Sequence, residues 1–228
     1  MFKLFDSPSF EPEIDAKTLQ KLLDEIVTPR LLKKGFDKRG NYGWRNDNNK
    51  FRQRIGYTRL KGAAGTFTWG VNIDFIPLVR SDRIEYYKTD KRFLLHLWEG
   101  TDEYRSSFSG GDIKKGIASH WGFKNARETI SNLFDRYEEK IFEWFAKADS
   151  LEQLIETAQQ QAAHDNFYNV HLPRPTFVLA FLYAKAKKVD KAMKVFETLE
   201  MYQFDNSEEL KDKVKAKLLM LTTETSGT

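Results

Sequence analysis

Residues 66–77 have the sequence TFTWGVNIDFIP, and this stretch decides the fold class that the sequence predicts. Large apolar side chains alternate in it with small or polar ones, and the apolar ones are Phe67, Trp69, Val71, Ile73 and Phe75. An alternation with a period of two is typical of a β-strand that has one face in the core and one face in water. We therefore expect a sheet with one solvated face in a chain whose remaining patterns are largely helical.

Two further strands are predicted before this stretch, so that the chain has enough strands for a stable antiparallel sheet. Residues 42–46 and 51–59 alternate in the same way, and the Asp and Asn residues between them are typical of a hairpin turn. A glycine-containing turn at residues 61–65 joins the second of these strands to the stretch described above. Further along, residues 93–98 are a candidate fourth strand, and a loop is predicted at residues 106–111.

Residues with helical spacing lie on both sides of the predicted sheet. On the N-terminal side, Asp15 is a suitable N-cap for an amphipathic helix. Pro29 predicts a fresh helical start at Thr28, and Gly35, which follows two lysines, predicts the helix end. A broad aromatic stripe over residues 123–145 predicts one long central helix, and we expect it to pack against the apolar face of the sheet.

The rest of the chain is also predicted to be helical. Ser150 and Gln153 have the spacing of a capping box, which predicts a helix start at that point. Residues 165–175 contain two prolines and no periodicity, so they are the candidate for a domain boundary. Beyond it, helices are predicted at residues 176–187, 190–202 and 208–221, and a disordered polar tail is predicted at residues 222–228.

Together these patterns predict an α+β fold. Its antiparallel sheet has three to five strands and packs against the N-terminal and central helices, and an all-α C-terminal helical annex follows. We expect the α+β domain to span residues 1–164 and the annex to span residues 165–228. Within the annex, small and large side chains at residues 176–204 resemble one tetratricopeptide-like helix pair, whereas an independent solenoid needs about three such units.

The composition is that of a folded globular protein. Of the 228 residues, 40% are hydrophobic, 14% aromatic and 31% charged. The net charge of +4 is a small difference between 37 basic and 33 acidic residues, whereas nucleic-acid-binding proteins usually show a sharper basic excess. The sequence has no cysteine, which excludes disulfides and thiolate nucleophiles. No apolar run is long enough for a signal peptide or a membrane span, so we expect a cytoplasmic protein without a membrane partner.

Three segments carry a resemblance to a known family. They are LQKLLDEIVTPRLLKKGFDKRGNYGWR at residues 19–45, FTWGVNIDFIP at residues 67–77 and YEEKIFEWFAKADSLEQL at residues 137–154. The chain resembles an uncharacterised bacterial domain family, domain of unknown function four-three-zero-four, over about residues 16–156. The resemblance implies an α+β domain and no particular activity.

No arrangement of residues predicts a catalytic, cofactor or metal site. The sequence contains four histidines, namely His96, His120, His164 and His171. They are not spaced as metal ligands on one helix would be, so we interpret them as structural or surface residues. The sequence also lacks the glycine-rich phosphate loop, the nucleophile elbow and the HExxH motif. We therefore expect no enzymatic activity and no cofactor or metal, with a hydrolase of unrecognised type as a third-ranked hypothesis.

One basic cluster is a candidate ligand-binding surface. Four arginines lie on the first two predicted strands, near Trp44 and Tyr57, and they are Arg45, Arg52, Arg54 and Arg59. Guanidinium groups interleaved with aromatic rings can hold phosphates and stack on bases. The alternative is an ordinary solvated strand face, in which Arg52 or Arg54 forms a cross-strand ion pair with Asp74.

Two functional hypotheses follow from these observations. The first is a non-enzymatic binding protein whose partner is another protein and whose C-terminal helices make the contact, as in an adaptor or an immunity partner of a secreted toxin. The second is binding of an anion or a nucleic acid through the arginines named above, which would weaken strongly as the salt concentration rises.

Overall fold

The computed structural model describes residues 11–48, 50–80, 83–86, 94–101, 111–164, 168 and 173–223. The helices are α1 (Ala16–Ile26), α2 (Thr28–Leu32), α3 (Phe123–Ala146), α4 (Leu151–Ala163), α5 (Pro175–Lys185), α6 (Val189–Glu197) and α7 (Glu208–Thr223). The strands are β1 (Asp37–Lys38), β2 (Gly43–Asn46), β3 (Arg52–Leu60), β4 (Ala64–Asn72), β5 (Leu78–Arg80), β6 (Arg83–Glu85), β7 (Leu97–Gly100) and β8 (Ala118–Ser119).

Six of the described strands form one sheet, and the predicted α+β fold is confirmed. The strand order is β1-β2-β3-β4-β7, and β8 pairs with β4 outside this path. The pairing of β1 with β2 and that of β4 with β8 are both antiparallel. Strands β5 and β6 form a separate antiparallel pair. The candidate strand at residues 93–98 is observed as β7, which begins later, while Phe93 and residues 106–110 of the predicted loop lie outside the described residues.

The chain divides into two compact units. Unit 1 takes in the described residues of Met1–Arg45, Ile55–Thr68 and Gly100–Glu139. Unit 2 takes in those of Asn46–Arg54, Trp69–Glu99 and Lys140–Thr228. The described part of residues 165–228 therefore lies wholly in unit 2, and the separate annex expected there stays a prediction.

The N-terminal helices begin where the sequence predicts and end close to the predicted residue. Asp15 caps α1, because its Oδ1 atom accepts a hydrogen bond of 2.7 Å from the backbone N–H of Thr18. A new helix, α2, begins at Thr28 with Pro29 in its first turn, where a missing N–H costs nothing. Helix α2 ends at Leu32, and Gly35, with a φ of 81°, ends the turn at residues 33–35 that follows it, a left-handed conformation that glycine adopts without strain.

In unit 1 the sheet packs against both the N-terminal helices and the central helix. The rings of Phe67 on β4 and Phe134 on α3 lie 5.3 Å apart, and both side chains are fully buried. On the N-terminal side, the indole Nε1 of Trp44 on β2 donates a 2.9 Å hydrogen bond to Thr28 Oγ1. These contacts confirm that the helices cover the apolar face of the sheet.

The predicted solvated face of β4 is wrong, because this strand is buried on both faces. Thr66 and Asn72, which belong to the polar set of the alternation, are 3% and 1% exposed. In unit 1, Thr66 Oγ1 donates to the backbone oxygen of Gly116. In unit 2, Asn72 Nδ2 donates to the backbone oxygen of Leu94. Backbone carbonyl groups thus replace water as the partners of these polar side chains.

Strand β4 also ends earlier than the alternation predicts, at Asn72. Beyond this point the ladder stops, since the backbone N–H of His96 donates to Val71 O while its ring Nδ1 accepts from the N–H of Ile73 at 3.0 Å. A side chain therefore satisfies the next donor of the strand. Asp74 consequently lies in a turn after β4 instead of on its polar face.

In unit 2, helix α5 is surrounded by other helices. Its residues 177–184 are all buried, and α4, α6 and α7 pack against it. Such all-round burial is expected for a helix whose apolar residues show no polar face. The capping box predicted at the start of α4 is confirmed, since Ser150 and Gln153 satisfy each other's backbone N–H groups.

Two C-terminal boundaries differ from the prediction. Helix α6 ends at Glu197, and a separate 3₁₀ turn follows at Met201–Phe204, because i to i+3 bonds such as that from Leu199 N to Phe196 O tighten the chain. Helix α7 continues to Thr223, so the start of the predicted disordered tail is helical. Residues 224–228 lie outside the described residues.

None of the helices in the described ranges is both long enough and apolar enough to cross a membrane.

A glycine in β4 offers a test of the strand pairing in unit 2. A Cβ atom at Gly70 would overlap the backbone oxygen of Leu97, so Gly70→Ala should destabilise the protein by about 1–3 kcal/mol through overpacking. Gly56→Ala in β3 is the matched control, since its Cβ would lie 3.5 Å from Thr68 Oγ1, an ordinary contact. Chemical denaturation of both variants measures the difference, and equal stabilities would contradict the close approach at Gly70.

Candidate functional site

Two of the four arginines in the predicted binding cluster form ion pairs. Arg52 on β3 contacts the Asp74 carboxylate at 2.5 Å in unit 2, so the ion pair weighed as the alternative is confirmed, although Asp74 lies in the turn after β4 and not on a strand. Arg59 at the other end of β3 contacts Glu13 at 2.5 Å in unit 1. A carboxylate beside each guanidinium group reduces the positive potential that a phosphate would meet.

The other two arginines have different surroundings. Arg45 on β2 is only 4% exposed, and Arg54 on β3 is half-buried. Both have interaction partners of their own. Arg45 belongs to unit 1 with Arg59, whereas Arg54 belongs to unit 2 with Arg52. Ligand binding by these four arginines stays a prediction.

Two of the histidines lie in the protein interior and form hydrogen bonds. His96 accepts from the N–H of Ile73 as described above, and burial lowers its pKa to about 3. His120 is fully buried beside Tyr57, and its Nε2 lies 2.8 Å from the Tyr57 hydroxyl. His164 is exposed, and His171 lies outside the described residues. Within the described ranges, no three His, Asp or Glu side chains come together as metal ligands.

The Tyr57–His120 pair is built into the sheet of unit 1. A Cβ atom at Gly65 would overlap the Tyr57 ring, so only glycine at this position of β4 lets the ring lie across the strand. Desolvation by burial lowers the pKa of His120 to about 4, and Arg59 lowers it further in opposition to Glu13. Burial also raises the pKa of Tyr57. Both side chains are therefore neutral near pH 7, and we interpret the pair as structural.

A second candidate site lies at one end of the helices of unit 2. Helices α5, α6 and α7 pack against one another, and residues 186–188 connect α5 to α6. The Nζ of Lys187 in this connection donates a 2.9 Å hydrogen bond to Leu221 O. This contact brings the end of α5, the beginning of α6 and the last turn of α7 to the same end of the bundle.

Apolar side chains are exposed at this end. Among the described residues five large hydrophobic side chains are exposed, and three of them lie here, namely Val189 at 38%, Leu219 at 39% and Met220 at 64%. Val189 has the same helical spacing as Ala192 and Phe196, the two buried residues of α6. It is exposed because it is the first residue of the helix. Leu219 and Met220 are neighbours near the C-terminus of α7, which the Lys187–Leu221 hydrogen bond places at the end of the bundle where α6 begins. Exposed apolar side chains at one end of a bundle are typical of interaction sites.

The segment that ends α5 and begins α6 is rich in lysine. Residues 185–194, KAKKVDKAMK, contain five lysines and one carboxylate, that of Asp190. Lys188 and Lys191 are exposed, and neither pairs with a carboxylate among the residues that the structure describes. We call Val189, Leu219, Met220, Lys188 and Lys191 the bundle-end surface. Lys191 Nζ lies 5.8 Å from the centroid of the Tyr183 ring, and neither lysine is neutralised by a carboxylate among the described residues. The surface therefore offers positive charge as well as apolar area, which suits a binding function.

Sequence reasoning missed this surface, although one signal was present. That signal is the run of five lysines at residues 185–194, which spans the connection between two predicted helices. The predicted helices leave Val189 in a connection and do not specify which apolar residues of the last helix are buried. Only the packing of α7 shows that Leu218 and Leu221 are covered while Leu219 and Met220 are not.

The low pKa of His120 predicts a loss of stability in acid. The His120 ring binds a proton below about pH 6.5 in the unfolded chain but only near pH 4 in the folded protein. The contribution of neutral His120 to the free energy of unfolding is therefore complete above pH 6.5 and is lost as the pH falls towards 4. His120→Gln keeps a partner for Tyr57 and should remove about 3 kcal/mol of this pH dependence. Denaturant unfolding between pH 4 and 7 measures it, with His164→Gln at an exposed position as the control. Parallel profiles for wild type and His120→Gln would contradict the assignment.

Comparison with known proteins adds no relative. No family model matches the chain. No curated protein and no solved structure gave a significant match. The resemblance to domain of unknown function four-three-zero-four therefore stays a prediction that rests on the three segments quoted above.

Proposed function

We propose that this chain is a non-enzymatic binding protein whose partner is another protein and whose contact is the bundle-end surface. The observation that carries the proposal is the concentration of exposed apolar side chains at this end of unit 2, where Met220 is the most exposed of them. An interface gains most of its free energy from a few such side chains that lose water on binding. The flexible thioether of Met220 is well suited to fill an irregular partner surface.

The arginine cluster supports the competing function less well. Arg52 and Arg59 already contact Asp74 and Glu13, and Arg45 is buried. A phosphate ligand would have to compete with these carboxylates, whereas Lys188 and Lys191 face no such competition among the described residues. We therefore place anion or nucleic-acid binding through the arginines second. A cytoplasmic adaptor or a toxin-immunity partner is the finer form of our proposal.

Truncation of one exposed side chain tests the proposed contact. Met220→Ser should leave stability within about 0.5 kcal/mol of wild type, because the side chain makes few contacts in the folded protein. The same change should weaken binding of the partner by about tenfold, as expected for a residue at an interface centre. Affinity capture from a native lysate, followed by quantification of any stoichiometric protein, measures the effect.

Leu32→Ser is the matched control, since Leu32 on α2 in unit 1 is similarly exposed, at 52%. This variant should retain the partner in full. Failure of wild-type protein to retain any stoichiometric protein, or equal retention by the Met220 variant, would refute the proposed function.

A further inference from the structure

We infer that the partner presents an acidic amphipathic helix to the bundle-end surface, with carboxylates that face Lys188 and Lys191 and apolar side chains that cover Met220. This inference rests on the proposed function and specifies the chemistry of the partner. Its basis is charge complementarity, since residues 185–194 carry five positive charges and one negative charge in a chain whose net charge is only +4.

The positions of the lysines determine what the partner must offer. Lys188 is the N-cap residue of α6, and Lys191 lies in the first helical turn three residues later, with its Nζ 5.8 Å from the centroid of the Tyr183 ring. Two carboxylates spaced three or four residues apart on a partner helix match this separation. Apolar residues on the adjoining stripe of that helix would then lie over Val189 and Met220, which is the arrangement of a helix bound to an apolar surface with a charged margin.

Local backbone preferences at this turn provide an independent argument. Lys187 has a φ of 59°, a left-handed conformation in which glycine or asparagine is favoured. Lys188 makes no side-chain capping hydrogen bond, and its cation lies at the positive end of the α6 dipole, where Ser or Asp would be favoured. Lys187 is retained here by its own hydrogen bond to Leu221 O, whereas no such contact within the described residues accounts for a lysine at the N-cap of α6. A departure from local preference of the kind seen at Lys188 is expected where a residue serves binding.

Charge reversal at the N-cap separates binding from folding. Lys188→Asp removes a positive charge from the surface, and its carboxylate lies at the positive end of α6 but also next to the negative end of α5, so the midpoint of thermal unfolding should stay close to that of wild type. Lys17→Asp is the matched control, because Lys17 is an exposed lysine in the first turn of α1 in unit 1. Both changes alter the net charge equally, and only the first should affect the partner.

The probe is a phage-displayed library of random 16-residue peptides selected on full-length wild-type protein. We expect enrichment of peptides with net negative charge and apolar residues at helical spacing. Synthetic copies of these peptides should bind Lys188→Asp and Met220→Ser at least about tenfold more weakly than wild type, and Lys17→Asp equally well. The difference for Lys188→Asp should shrink at high salt, since salt screens exposed charges.

Four results would overturn the inference. Three of them concern peptides, namely enrichment of neutral or basic peptides, absence of any enrichment, and peptide binding that Lys188→Asp leaves unchanged. A fourth is co-sedimentation with phosphatidylglycerol vesicles that both Lys188→Asp and Met220→Ser abolish, which would assign the surface to a membrane. If the partner captured from lysate depends on Met220 but not on Lys188, the proposed function stands and this inference fails.

Discussion

The hydroxyl groups of Thr66 and Thr101 lie 2.6 Å apart inside unit 1, and each is within hydrogen-bond distance of Gly116 O. This cluster joins β4 to the chain after β7 and to the segment before β8. Water cannot replace it, because both threonines are buried. A buried polar group is tolerated only when its hydrogen bonds are formed, so the central strand can be covered on both faces only if these segments meet there.

Burial of β4 on both faces changes the role of its polar residues. Thr66 and Asn72 do not mark a solvated face but attach loop backbone to the strand. The buried histidines act in the same way, since His96 ends the β4 ladder and His120 holds Tyr57. These buried polar side chains of the sheet therefore have structural hydrogen bonds as their role. The described surface that remains available for binding includes the helices of unit 2.

Local chemistry made several helix boundaries predictable from the sequence, although not the ends of α6 and α7. Asp15, Gly35 and Ser150 act through bonds to backbone groups a few residues away, and such signals are contained in the sequence. The burial of Thr66 was not predictable, because an alternating strand with polar partners in the interior has the same pattern as one that faces water. The exposure of Met220 was not predictable either, since it depends on which side of α7 packs against α5.

The all-round apolar character of α5 has a consequence for biosynthesis. Its covering helices α6 and α7 are encoded after it, so on the ribosome α5 emerges before they can shield it. A nascent chain that has reached only residue 186 can cover α5 with α4 but leaves exposed the apolar sides that α6 and α7 cover in the complete protein. Transiently exposed apolar surface of this kind promotes aggregation during folding, and it is covered here only when the C-terminal helices have been translated.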